Sequence, residues 1–159
     1  MYNDLLMLLP PRSVIFDEPM ANHTTFKIGG PDDALVIPQS IYELKTTLEY
    51  CAAKEVPWFV FGAGSNLLVR DKGIRGVAIQ ITQLNSIQIC GSQVYAEAGV
   101  MLPELAYAVA SFNLTGLEFA EGIPGSLGGA IVMNAGAYGG DMGHLVSEVE
   151  AITPSGEHM

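Results

Sequence analysis

Gly116-Leu117-Glu118-Phe119-Ala120-Glu121-Gly122-Ile123-Pro124-Gly125-Ser126-Leu127-Gly128-Gly129-Ala130-Ile131-Val132-Met133-Asn134-Ala135-Gly136-Ala137-Tyr138-Gly139-Gly140 is the stretch that decides how the chain is read. Eight of the 18 glycines fall in these 25 positions. Inside a helix or strand each would lose backbone entropy and pack nothing. Such density suits a backbone that turns sharply and comes close to a ligand. Gly122 to Gly125 read as a tight turn, with Pro124 fixing one φ angle. Ser126 reads as the cap of a short apolar helix over 127–133, whose leading N–H groups face whatever sits in the turn. A helix start of this kind suits an anion.

The charge pattern limits what else can bind. The net charge is −10 and the isoelectric point about 4.5, which argues against nucleic acid and acidic membrane surfaces. The seven cations are Arg12, Lys27, Lys45, Lys54, Arg70, Lys72 and Arg75, with none after Arg75. A phosphate held by the glycine-rich stretch would therefore rest on amides and hydroxyls. Cys51 and Cys90 form no CxxC pair and read as buried free thiols. His23, His144 and His158 are scattered, without metal-ligand spacing. The apolar run 5–9 lacks a cationic flank, is too short to span a bilayer and ends in Pro10-Pro11, so a cytoplasmic protein without a signal peptide is expected.

At 159 residues the chain is one domain or two small lobes. Residues 1–18 read as an N-terminal extension. The first lobe, 19–83, opens with the turn at Gly29-Gly30-Pro31 and a short strand over 34–37. A helix follows, capped by Ser40 with Glu43 completing a capping box. Its apolar face is Ile41, Leu44, Leu48, Cys51 and Ala52. Next come a solid apolar strand over 58–61, the small-residue turn Gly62-Ala63-Gly64-Ser65-Asn66, extended chain over 67–69 and a strand over 76–81. The second lobe, 84–159, begins with a hairpin around Gly91-Ser92. A helix over 102–112 carries Pro103 in its first turn. The glycine-rich stretch comes next, and a last strand is expected over 146–152. Two helices among strands and hairpins argue for an α+β fold of two lobes rather than a doubly wound parallel sheet.

The motifs have plainer readings beside them. Gly62-Ala63-Gly64 after a strand is reminiscent of a dinucleotide fingerprint, but Leu67 stands where the third glycine belongs and no helix start follows. A nest of backbone N–H groups remains open there, with Ser65 and Asn66 as added donors; the plain alternative is a strand-to-strand turn. Pro124-Gly125-Ser126-Leu127-Gly128 resembles a nucleophile elbow, with His144 the nearest base in sequence and no third group in view; a capping serine beside a ligand is the simpler reading. Glu118 and Glu121 flank the turn as an acid/base pair or as solvated carboxylates. Asn134 and Tyr138 either hydrogen-bond a ligand ring, or serve as a left-handed turn residue and a packing residue. Two small-residue turns without cations suggest one long ligand, with phosphates at one turn and a flat ring at the other, as in FAD.

The ordered set Thr25-Phe26-Lys27-Ile28-Gly29-Gly30-Pro31, Gly62-Ala63-Gly64-Ser65-Asn66-Leu67-Leu68-Val69, Gly73-Ile74-Arg75-Gly76, Gly116-Leu117-Glu118-Phe119, Gly122-Ile123-Pro124-Gly125-Ser126-Leu127-Gly128-Gly129-Ala130 and Asn134-Ala135-Gly136-Ala137-Tyr138-Gly139 resembles the FAD-binding part of the UDP-N-acetylenolpyruvoylglucosamine reductases. The likeness runs from about Pro19 to Gly156. It implies the two-lobed α+β flavin fold of the vanillyl-alcohol oxidase and p-cresol methylhydroxylase type, with FAD between the lobes. It implies the pyrophosphate at Gly62, Ala63, Gly64, Ser65, Asn66 and Leu67. Gly122, Ile123, Pro124, Gly125, Ser126, Gly128, Gly129 and Ala130 would run along flavin and pyrophosphate, with Asn134, Ala135 and Gly136 close by. The family uses NADPH to reduce an enolpyruvyl group on a nucleotide sugar in peptidoglycan precursor synthesis. Its proton donor, catalytic arginine, late glutamate and substrate domain lie beyond the last residue here. The resemblance therefore assigns cofactor contacts and no catalytic residue, and a truncated chain without turnover of its own is expected. Another flavin oxidoreductase of the same fold, or a non-catalytic FAD-binding fragment, are the alternatives.

Overall fold

The computed structural model describes residues 2–159. The first half is organised by β4 (Val77–Gln80), which lies between β2 (Ala34–Val36) and β3 (Trp58–Phe61) and is parallel to both. The helix α2 (Ile41–Ala53) crosses from β2 to β3, so this βαβ unit is split by the inserted strand. β1 (Val14–Phe16) adds an antiparallel edge to β2, with Val14 opposite Val36. Ala34, Leu35, Val36, Val77, Ala78 and Ile79 are all fully buried. Strands covered on both faces read as unbroken apolar runs, and these do.

Alternation sorts the two faces. Ala34, Val36, Val77 and Ile79 join a core with Leu5, Leu9, Val14, Leu48 and Cys51. Leu35 and Ala78 point the other way, onto Met20, Phe61 and Val69. Residues 2–18 are woven into this lobe. α1 (Leu5–Leu8) supplies Leu5 to the core, and Ser13 donates to the buried Glu43 carboxylate at 2.8 Å. Glu43 completes the expected box differently. It accepts from the amide of Gln39, one residue before the cap, while its own amide donates to the Ser40 hydroxyl. The buried face of α2 is Glu43, Thr47, Leu48, Tyr50 and Cys51, whereas Ile41 and Ala52 are exposed. Leu44, Leu48 and Cys51 of the expected face do pack into the core, but the face extends toward Glu43 and Thr47, whose buried polar side chains find partners: Thr47 donates to the Glu43 carbonyl at 2.7 Å.

The second half has its own core. β5 (Ile87–Cys90) and β6 (Gln93–Ala96) form the hairpin, with Gly91 at φ 64°. α3 (Leu102–Ser111) packs Leu102, Leu105, Ala106 and Val109 against Phe119, Leu127 and Met142. α4 spans Leu127–Met133. β7 (Gly136–Ala137) and β8 (Gly140–Asp141) close a small antiparallel loop. The strand expected over 146–152 does not form; only its end is paired, Ile152 in an isolated bridge to His158 and Ala151 exchanging backbone hydrogen bonds with Met159. Cys51 is buried and free, but Cys90 is exposed at the hairpin end, which corrects the expectation of two buried thiols.

Candidate functional site

The bend over 62–66 starts where β3 ends and turns back past the 3₁₀ turn Met20–His23. Gly64 makes it possible. Its φ is 67°, and a Cβ there would lie 2.1 Å from the His23 carbonyl oxygen. The Gly64 carbonyl accepts from the Thr25 amide at 3.2 Å. The bend's own N–H groups stay free. Those of Ala63, Gly64, Ser65 and Asn66 donate to no protein oxygen among the described residues. Four consecutive amides in a small-residue bend are thus left unspent, the kind of donor set a backbone anion nest uses.

The second bend lies directly on the first. A Cβ on Gly62 would fall 1.8 Å from the Ser126 Oγ, and one on Gly125 would sit 3.5 Å from the Ser65 Oγ. So the two segments, 60 residues apart in sequence, meet with no side chain between Gly62 and Ser126. The start of α4 differs from expectation. Leu127 donates to the Val100 carbonyl at 2.7 Å and Gly128 to the Ala98 carbonyl at 2.8 Å, while Leu102 donates to Gly125. Two of the helix's leading amides are thus spent on the 98–102 segment. Those of Gly122, Ser126 and Gly129 keep no protein acceptor among the described residues. Ser126 occupies the cap position but caps nothing; it is buried, with its hydroxyl against Gly62.

The remaining candidates separate. Asn134 ends α4 in the left-handed region, φ 45° and ψ 52°, and its side-chain oxygen accepts from Gly143 at 2.8 Å. Ala135 donates to the Ala130 carbonyl, so it closes the same helix end. Gly136 lies in β7, where Asp141 blocks any side chain. Leu67 packs under the first lobe rather than into the bend. Tyr138 is fully exposed, not packed. His144 finds the partner the sequence did not reveal: its Nδ1 lies 2.8 Å from Asp141, and this bond holds the Asp141 carboxyl below its usual range. It makes no hydrogen bond to Ser126, so no nucleophile triad is assembled. Glu118 accepts from the Gly116 amide, and Glu121 is exposed; the pair is solvated. A hollow of about 410 Å³ is lined by Gly116, Glu118, Phe119, Tyr138, Gly139 and Gly140. It shares no residue with either bend.

Behind the first bend lies a group that sequence reasoning passed over. His23 bonds Glu18 through Nε2 and Gln80 through Nδ1, each at 3.0 Å, and the Gln80 amide donates to the Gly62 carbonyl at 3.4 Å. Asp32 is close by in the same lobe. It is fully buried, both carboxylate oxygens lack partners, and lost hydration raises its pKa from 3.8 to about 6.

Two lobes with separate cores, joined at paired glycine bends that offer unpaired amides and no cation, define a two-lobed α+β nucleotide-binding fold of the flavoprotein type. The chain belongs to the FAD binding domain family, whose profile matches residues 31–159, and its cofactor is FAD. It is 58% identical over 98% of its length to UDP-N-acetylenolpyruvoylglucosamine reductase of Syntrophomonas wolfei, covering 52% of that protein. To the reductase of the same name from Alkaliphilus oremlandii it is 47% identical, again over 98% of this chain and 52% of the relative. The chain spans about half the length of the curated relatives it matches. Among solved structures, UDP-N-acetylenolpyruvylglucosamine reductase from Thermus caldophilus aligns with TM-score 0.75 at 33% identity, over 92% of this chain and 50% of that one. p-Cresol methylhydroxylase aligns with TM-score 0.72 over 99% of this chain and 34% of that one, at 15% identity; that likeness concerns the fold alone.

Proposed function

We infer that this chain is the FAD-holding half of a reductase that converts UDP-N-acetylglucosamine enolpyruvate to UDP-N-acetylmuramate with NADPH, in peptidoglycan precursor synthesis in the cytoplasm. The observation that carries the cofactor half of this reading is the contact of the two bends with their amides unspent. The FAD diphosphate has two negative charges and a row of acceptor oxygens. Free N–H groups at Ala63, Gly64, Ser65 and Asn66 match that row, and those of Ser126 and Gly129 extend it across the lobe junction. Side chains at Gly62 or Gly125 would enter the same space. No cation is required there, because neutral amides held by the fold stabilise the charge without reorganising.

FAD supplies two-electron transfer between a nicotinamide and the enolpyruvyl double bond. This chain's residues bind and orient it. Gly122, Ile123, Pro124, Gly125 and Gly128 are proposed to shape the wall along the ring system, backed by Ala130, which is buried in the second lobe's core. Asn134, Ala135 and Gly136 lie at the far end of α4 and hold that wall's terminus through the left-handed cap. No described residue is proposed as the proton donor. No helix among the described residues is long and apolar enough to cross a membrane.

The test is a titration of purified chain with FAD, followed by an NADPH oxidation assay with and without the enolpyruvyl nucleotide sugar. FAD uptake without substrate turnover is expected. Uptake with oxidase activity on an unrelated substrate would favour another flavoprotein of this fold. No uptake would remove the reading.

A further inference from the structure

We propose that His23 is a positioning residue for the cofactor-binding bend over 62–66, acting through Gln80 on the Gly62 carbonyl; this rests on the FAD reading above. The bonding roles follow from one fixed acceptor. A backbone carbonyl only accepts, so the Gln80 group facing Gly62 at 3.4 Å is its NH₂. The Gln80 oxygen then faces His23 Nδ1 at 3.0 Å, and Nδ1 carries a proton to donate. Glu18 faces Nε2 at 3.0 Å and is itself fixed by the Asn22 amide at the same distance. The hydrogen bond from Asn22 is the largest single cause that holds the Glu18 carboxyl below its usual range, and His23 adds to it.

The same residue supports the bend a second time. The His23 carbonyl oxygen occupies the space a Gly64 side chain would need, and the Thr25 amide two residues on donates to the Gly64 carbonyl at 3.2 Å. Gly64 is thus held directly by the segment 23–25 and Gly62 through Gln80, and the Ala63 and Ser65 N–H groups, opposite those two bonded carbonyls in their planar peptides, point away from the donors. Rotation of the Gly62 peptide would turn the Ala63 N–H with it, since the two share one plane. The bond to Gln80 resists that rotation. His23 is largely shielded, with 15% of its side chain exposed, so solvent does not replace the link easily.

The experiment compares His23→Asn with His23→Gln in the purified chain, reading the FAD dissociation constant by fluorescence quenching and folding by the melting temperature. The asparagine amide overlies Nδ1 and keeps the donor to Gln80. The glutamine amide overlies Nε2 and keeps only the Glu18 partner. Asn is expected within about twofold of the natural protein, and Gln about three- to tenfold weaker, the range for one hydrogen bond. Gln80→Leu is expected to match His23→Gln, with the two together no weaker than Gln80→Leu alone. Equal affinities for the Asn and Gln variants, or natural affinity in Gln80→Leu, overturn the proposal while the FAD reading stands. If the His23 variants do not fold, Gln80→Leu alone decides. An unsubstituted chain that fails to quench FAD overturns both.

Discussion

Gly62→Ala is the substitution on which the meeting of the two bends bears most sharply. The new Cβ would stand 1.8 Å from the Ser126 Oγ and 2.8 Å from its Cβ, where carbon contacts normally begin near 3.5 Å. Gly62 is not in the left-handed region, so the effect isolates close approach from backbone strain. Neither side yields freely. Phe61 is in register with Gln80 of β4, and Leu127 is tied to Val100 at 2.7 Å. Overpacking of this kind costs about 1–3 kcal/mol, or a fall of about 5 °C in melting temperature for a chain this size. Ser126→Gly removes both clashing atoms. Its own cost is a few tenths of a kcal/mol, since Ser126 caps nothing. The double variant is therefore expected near Ser126→Gly alone in urea denaturation, with a stabilising coupling of about 1 kcal/mol or more. Costs that add to within about 0.5 kcal/mol, the behaviour of distant sites, would refute the contact.

Other expectations follow from single groups. Asp32 holds its proton in the folded chain between about pH 4 and 6 while the unfolded chain has released it, so stability falls as pH rises through that window and the cost is full above it. Asp32→Asn should thus raise stability at pH 8 by up to about 3 kcal/mol and change little at pH 4; equal effects in urea melts at both values would contradict this. Glu43→Ala strands the donors of Ser13 and Gln39 and should cost about 2–3 kcal/mol by the same melts. Gly64→Val combines a left-handed φ with a 2.1 Å clash and should abolish FAD quenching, whereas unaltered titration would remove the first bend from the site. Asn134→Gly, which keeps the left-handed cap, should melt above Asn134→Ala by about 1 kcal/mol in stability.

Local chemistry made much of this legible. The glycine turns, the Pro103 helix, the hairpin at Gly91 and the extent of α4 follow from φ preferences and caps that act within a few residues. Partnerships across the chain were not legible. The buried face of α2 depends on Ser13 and Gln39 donating to the Glu43 carboxylate, which hydrophobic spacing alone cannot register. The 146–152 run has β-prone residues but no neighbouring strand to pair with among the described residues. The amides of Leu127 and Gly128 looked free in sequence and are taken by carbonyls nearly 30 residues earlier. The role of His23 needed Gln80 beside it, 57 positions away.

Amide chemical-shift mapping with FAD asks most directly whether backbone donors of two abutting turns grip the nucleotide. Large shifts are predicted at Ala63, Gly64, Ser65 and Asn66 together with Ser126 and Gly129, saturating at one FAD per chain. Saturable binding that leaves those six resonances in place, and moves amides elsewhere, would contradict the account.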